Sequence, residues 1–269
     1  MKKSWIGLAL LIVLAGCSGQ KTEESSSETA VSTTNSANAS TSSIRSTSTE
    51  SSTETTKESE PVSSTTNSEA QADASKELMA QFPQTNFPSD ISYDGQALNI
   101  ASDGNNQKIS VLYYSMDQPL ILNHRQLNQE TPFASYRKEI FKTSQMAKEA
   151  VNAIYDTGGQ KIDLGYGITG YKQGAAGSTY LNWREGNWAL VVRASNVEGQ
   201  SPDATAKKIV TYLEKAFLPA PKETGQISVD QSAQGYQANQ VIWQEDTIVY
   251  TVTHEDALSA LAMAVSMEK

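Results

Sequence analysis

Leu181-Asn182-Trp183-Arg184-Glu185 ends in Gly186-Asn187 and restarts as Trp188-Ala189-Leu190-Val191-Val192. Aromatic and β-branched residues on both sides of a two-residue turn read as a hairpin, with strands over Ser178–Glu185 and Trp188–Ala194. A second stretch of the same kind lies further on. Val241-Ile242-Trp243-Gln244-Glu245 is followed by Asp246-Thr247 and a returning strand over Ile248–Thr253. Lys161–Lys172 reads as the strand before the first hairpin, and Gln226–Val229 as the strand before the second. A helix follows each hairpin. Ser201-Pro202-Asp203 opens one with an apolar stripe of Ile209, Val210, Leu213, Ala216 and Phe217, stopped by Pro219 and Pro221. Thr253 with Asp256 fits a capping box for the other, lined by Leu258, Leu261, Ala262 and Val265. One reading is a duplicated strand-hairpin-helix unit over residues 161–217 and 225–267; the other is a common Trp-x-Glu hairpin met twice. Either way the pattern predicts an α+β fold, an antiparallel sheet with helices packed on one face.

Working outward, Ala97–Ala101 and Lys108–Tyr114 are β-rich runs around the turn formers Ser102-Asp103-Gly104-Asn105-Asn106, and Leu120–Leu122 suggests a short strand. Thr131-Pro132 reads as a helix start. Tyr136, Ile140, Phe141, Ala147, Val151, Ile154 and Tyr155 then recur at three-to-four-residue spacing, which predicts an amphipathic helix ended by Gly158-Gly159. The folded domain is expected over residues 76–269, long enough for one substantial core.

Residues 18–75 are almost wholly Ser, Thr, Glu, Asn, Ala and Gln. So little apolar surface cannot offset an ordering entropy of about 1–2 kcal/mol per residue, and the stretch is expected to stay disordered. As a coil it would span about 40–45 Å, and roughly 190–210 Å fully stretched. Before it come Lys2-Lys3, an apolar run from Trp5 to Leu14, and Leu14-Ala15-Gly16-Cys17. A basic start, a short apolar run and small residues are the parts of a secretory signal, and the run is about half the ~20 residues a spanning helix needs.

Leu14-Ala15-Gly16-Cys17 resembles the lipobox of bacterial lipoproteins, and the hydroxyl-rich linker resembles those of Gram-positive surface lipoproteins. The resemblance implies a signal peptide over residues 1–16 and a diacylglyceryl group with palmitate-type chains on Cys17, the new N-terminus. It also implies a tether over residues 17–75 that holds the domain at the extracellular face of the cell membrane. Loss of Lys2 and Lys3 with the leader takes the formal charge from −9 to −11. An acidic chain argues against nucleic acid as a partner and leaves membrane contact to lipid alone. With the one cysteine lipidated, no thiol remains for disulfides or redox work.

Few residues of the chain fall into patterns that carry chemistry. Gly165-Tyr166-Gly167-Ile168-Thr169-Gly170 matches G-x-G-x-x-G, but no helix start follows it, so it reads as a glycine-rich strand rather than a dinucleotide site. His124 in a polar loop and His254 in the first turn of the last helix read as structural or solvated. Asp103-Gly104-Asn105-Asn106 reads as a turn, no metal site is expected, and no cofactor. Glu185 and Glu245, beside Trp183 and Trp243, form the acid pair that a sugar-cleaving or sugar-binding site would use. Tyr171 and Tyr180 complete the candidate ligand-binding set. The expectation is a non-catalytic envelope module that meets a wall component or an envelope protein. A tethered cell-wall hydrolase using acidic residues and a small-solute-binding lipoprotein are the alternatives.

Overall fold

A computed structural model describes residues 74–91 and 93–268; the leader, Cys17 and most of the tether lie outside the described residues. Its strands are β1 (Ala97–Asn105), β2 (Lys108–Met116), β3 (Ala134–Ile140), β4 (Gln160–Gly165) and β5 (Ile168–Ala175). They continue as β6 (Ser178–Glu185), β7 (Trp188–Ser195), β8 (Gly225–Asp230), β9 (Asn239–Glu245) and β10 (Ile248–His254). The helices are α1 (residues 74–81), α2 (Ser144–Val151), α3 (Asp203–Leu213) and α4 (Ala257–Val265). All ten strands join one sheet in the order β1-β2-β3-β10-β9-β8-β7-β6-β5-β4. The α+β class holds. The sheet is not wholly antiparallel, because β7 and β8 run parallel after the α3 crossover.

Strand alternation sorts side chains onto two faces. On the first, Leu181, Trp183, Leu190, Ile227, Val241, Trp243 and Val252 are at most 1 % exposed. They share one core with Leu78 of α1, Ile209 of α3, and Leu261 and Met263 of α4. On the second face α2 seats Ala147 and Val151 beside Val249, with Phe141 and Ile242 packed at the edge. The expectation of helices on one face is therefore corrected: α2 lies opposite the others.

That correction begins with the helix expected from Pro132 to Tyr155. Its first part is strand β3, where Ala134, Tyr136 and Lys138 are buried at every second position. A slot between β2 and β10 supplies hydrogen bonds along both of its edges, and this pairing overrides a helix-like spacing of apolar residues. Only Ser144–Val151 is helical. The Thr143 hydroxyl caps it by accepting from the Met146 amide at 3.2 Å, and Asn152, at φ 49°, closes it in the left-handed conformation.

Three smaller expectations also change. Lys161–Lys172 is two strands, because Gly165, Tyr166 and Gly167 all take positive φ and turn the chain back as the β4–β5 hairpin. Leu120–Leu122 is no strand; Asn99 holds this segment, accepting from the Leu120 amide and donating to the Gln118 carbonyl. In the last helix the cap is Asp256, which accepts from the Ser259 amide at 2.8 Å; Thr253 lies within β10. Phe217 lies beyond the end of α3 at Leu213 and is 82 % exposed.

The parallel seam has its own packing device. Trp188, Gly225 and Trp243 stand side by side across β7, β8 and β9. A Cβ on Gly225 would sit 2.5 Å from Trp188 Cε3. Without it the Trp188 indole lies over β8, reaches within 6.2 Å of the Trp243 ring, and donates Nε1–H to the Pro219 carbonyl.

Candidate functional site

Trp183 and Trp243 are fully buried. Each donates its indole N–H to the acid two residues on, Trp183 to Glu185 Oε1 at 2.8 Å and Trp243 to Glu245 Oε1 at 3.2 Å. Same-face neighbours on a strand are two residues apart, so Trp-x-Glu brings indole and carboxylate together and leaves no indole donor unpaired. The two acids do not meet. β7 and β8 separate β6 from β9, and three strand spacings put the two backbones roughly 14 Å apart. Paired glycosidase carboxylates stand about 5–9.5 Å apart, so Glu185 and Glu245 do not form that constellation. Burial pushes the Glu185 carboxyl above the usual range; the Trp183 hydrogen bond opposes this and Glu214 adds to it. Tyr250, stacked on Trp243, is pushed up to about 12 by burial, with Glu245 adding.

Both histidines accept a hydrogen bond from a backbone amide two residues on. His254 is buried against Phe133 at the end of β10, and its Nδ1 accepts from the Asp256 amide at 2.8 Å. It is therefore a buried loop anchor rather than a solvated first-turn residue. His124 Nδ1 accepts from the Gln126 amide at 3.3 Å. Asn105 Oδ1 accepts from the Gln107 and Lys108 amides, which makes the Asp103–Asn106 stretch part of a hairpin. Among the described residues no cluster of His, Cys, Asp or Glu could hold a metal ion.

Tyr171 and Tyr180 point away from the tryptophans, onto the second face. Tyr171 meets Tyr155 edge-on at 6.3 Å, and the Arg184 guanidinium lies 5.2 Å from the Tyr155 ring centre. Tyr180 lines a cleft of about 520 Å³ between the sheet and the segment that follows α2. Val151 and Ile154 form one wall, and Asn182, Val191, Gln226, Ser228 and Gln240 form the strand floor. The wall is tied down: Gln226 Oε1 accepts from the Ile154 amide at 2.7 Å, and Gln226 Nε2 donates to the Ile227 carbonyl. At the rim Asp156 accepts from Gln173 Nε2 and from the Gly158 amide, which holds its carboxyl below the usual range.

Asn182 differs from these neighbours. It is 3 % exposed and lines the cleft, and among the described residues its side-chain amide has no hydrogen-bond partner. The six expected ligand residues thus divide between the faces: the Trp–Glu pairs serve the core side, Tyr180 lines the cleft, and Tyr171 lies across from Asn182 on β5. The cleft's amides were not among the sequence candidates. Their signal was the strict alternation Gln226-Ile227-Ser228-Val229, which marks a strand with one polar, covered face.

Compared with protein-family models, with curated proteins and with solved structures, the chain matches none.

Proposed function

We propose that this chain is a lipid-anchored, non-catalytic envelope module whose contact surface is the cleft beneath the segment after α2. The observation that carries it is the lining: neutral amides and hydroxyls, with Asn182 unpartnered, and no lysine or arginine. A floor of hydrogen-bonding groups with few ionisable ones suits holding a ligand more than breaking a bond. The lipobox-like Leu14-Ala15-Gly16-Cys17 supports the anchor, and the Ser/Thr-rich stretch supports reach toward a wall component or an envelope protein. The duplicated strand-hairpin-helix unit is kept as part of this reading. It is supported by the repeated indole–carboxylate pair and by β7 of the first unit meeting β8 of the second across a parallel seam.

Two measurements test it. Radiolabelled palmitate should enter the wild-type chain in a Gram-positive host and not Cys17→Ser, which should leave the membrane fraction. The chain lacking residues 1–17 should be retained by purified wall sacculi or by one solubilised envelope protein, and Asn182→Leu should abolish that retention. Label in Cys17→Ser refutes the anchor, and retention indifferent to Asn182→Leu refutes the cleft as the contact surface.

A further inference from the structure

The chemistry of the cleft narrows what it can hold. No lysine or arginine lines it, so nothing there would compensate an anion. Nearby Arg193 faces Asp230 and Ser232 at 2.6 and 2.7 Å, donates to Ser178 at 3.1 Å and meets the lining Tyr180, so its charge is already shared among these groups. The one lining carboxylate, Asp156, is already held by Gln173 and the Gly158 amide, so a cation finds no free charge either. What remains is a neutral hydrogen-bonding floor at Asn182, Ser228 and Gln240, with Val191 beneath and Val151 and Ile154 above.

A side-chain amide carries an acceptor and two donors. It can therefore bond two neighbouring hydroxyls of one ring, while aliphatic groups pack against the ring's C–H faces. A volume of about 520 Å³ falls within the roughly 300–1,000 Å³ of small-ligand sites. A peptide strand is a poorer occupant. The floor strands β6 to β9 are each paired on both edges, so they offer no free backbone ladder for strand addition.

We infer that the cleft is a subsite for a neutral saccharide, with Asn182 and Gln240 bonding ring hydroxyl or acetamido groups. This rests on the binding-module reading above and adds the ligand class. Asn182 is the central group, because its amide has no protein partner among the described residues and a ligand can bond it without displacing an internal hydrogen bond.

The test is an NMR titration of the chain lacking residues 1–17, with side-chain amide signals assigned. The probes are N,N′-diacetylchitobiose, maltose, cellobiose and, as the competing class, a capped trialanine. At least one disaccharide should shift the Asn182 and Gln240 side-chain signals saturably, and Asn182→Leu should weaken that binding tenfold or more with its backbone spectrum otherwise preserved. Gln240→Ala serves as a second variant should Asn182→Leu fold poorly. Shifts caused by trialanine and by no sugar overturn the inference in favour of a peptide. Silence from all probes also overturns it, and the sacculus and envelope-protein assays then separate two cases. Retention still lost in Asn182→Leu means the cleft is the contact surface and the ligand class is wrong; retention unchanged means the binding-module reading fails with it.

Discussion

Asn182 is flanked on its strand by Leu181 and Trp183, both fully buried on the other face, while its own side chain lines the cleft. An amide that makes no bond within the fold contributes little to it, so its removal should cost the fold little. Asn182→Leu should accordingly keep a melting temperature close to wild type in a calorimetric scan; a clearly lower one would mean that the amide has a structural partner. Glu185 carries a prediction of opposite kind. Its folded-state carboxyl is raised by burial, so the folded chain binds more protons than the unfolded one as the group titrates. Stability must then fall as pH climbs from the ordinary glutamate range, about 4.3, through the raised value. Glu185→Gln keeps an acceptor for the Trp183 indole and should remove that part of the slope, read from denaturation midpoints across pH 4–7. At this scale the sequence was legible in pairs. Trp183 with Glu185 and Trp243 with Glu245 were visible as matched motifs, but a motif does not say which face of a sheet it serves. The same letters suit a sugar site or a paired indole in a core, and burial decided for the core.

Gly225 shows how much an element depends on an absent atom. Its hydrogen lets Trp188 cross β8 toward Trp243, so Gly225→Ala should force the indole aside and cost about 1–3 kcal/mol, as overpacking does. Chemical denaturation and the near-ultraviolet tryptophan signal would both report it, and an unaltered midpoint would show that the indole has room to shift. Among the elements, both Trp hairpins and the helices after them were readable because tight turns and apolar periodicity are local properties. Strand β3 was not. Tyr136, Ile140 and Phe141 have helical spacing, and only the neighbouring strands β2 and β10, more than a hundred residues away in the case of β10, make the extended form the better choice. The single strand expected over Lys161–Lys172 failed for a different reason. Tyr166 at φ 54° is a conformation that a non-glycine residue seldom takes, so the turn was hidden under a bulky aromatic.

For the molecule as a whole, sheet order matters more than any one contact. The domain's first three strands form one flank, its middle strands the other, and β8 to β10 lie between. A chain ended after Asp246, without β10 and α4, should leave β3 with an open edge and the first face partly bare. We expect it to aggregate or to show little cooperative unfolding by circular dichroism, whereas a well-folded monomer would mean that the flanks are stable alone. The pairing of β3 with β10 also bears on how such a protein is made. Synthesis delivers a chain from its N-terminus, so the earliest hairpin arrives long before the strand that must complete it. Until then Ala134–Ile140 is an unsatisfied template for any other extended chain, and the long loop to be closed makes the final step slow. The late strand β10 is the keystone. A protease that clips it, or a stalled synthesis that withholds it, would release the first strands as well as the last.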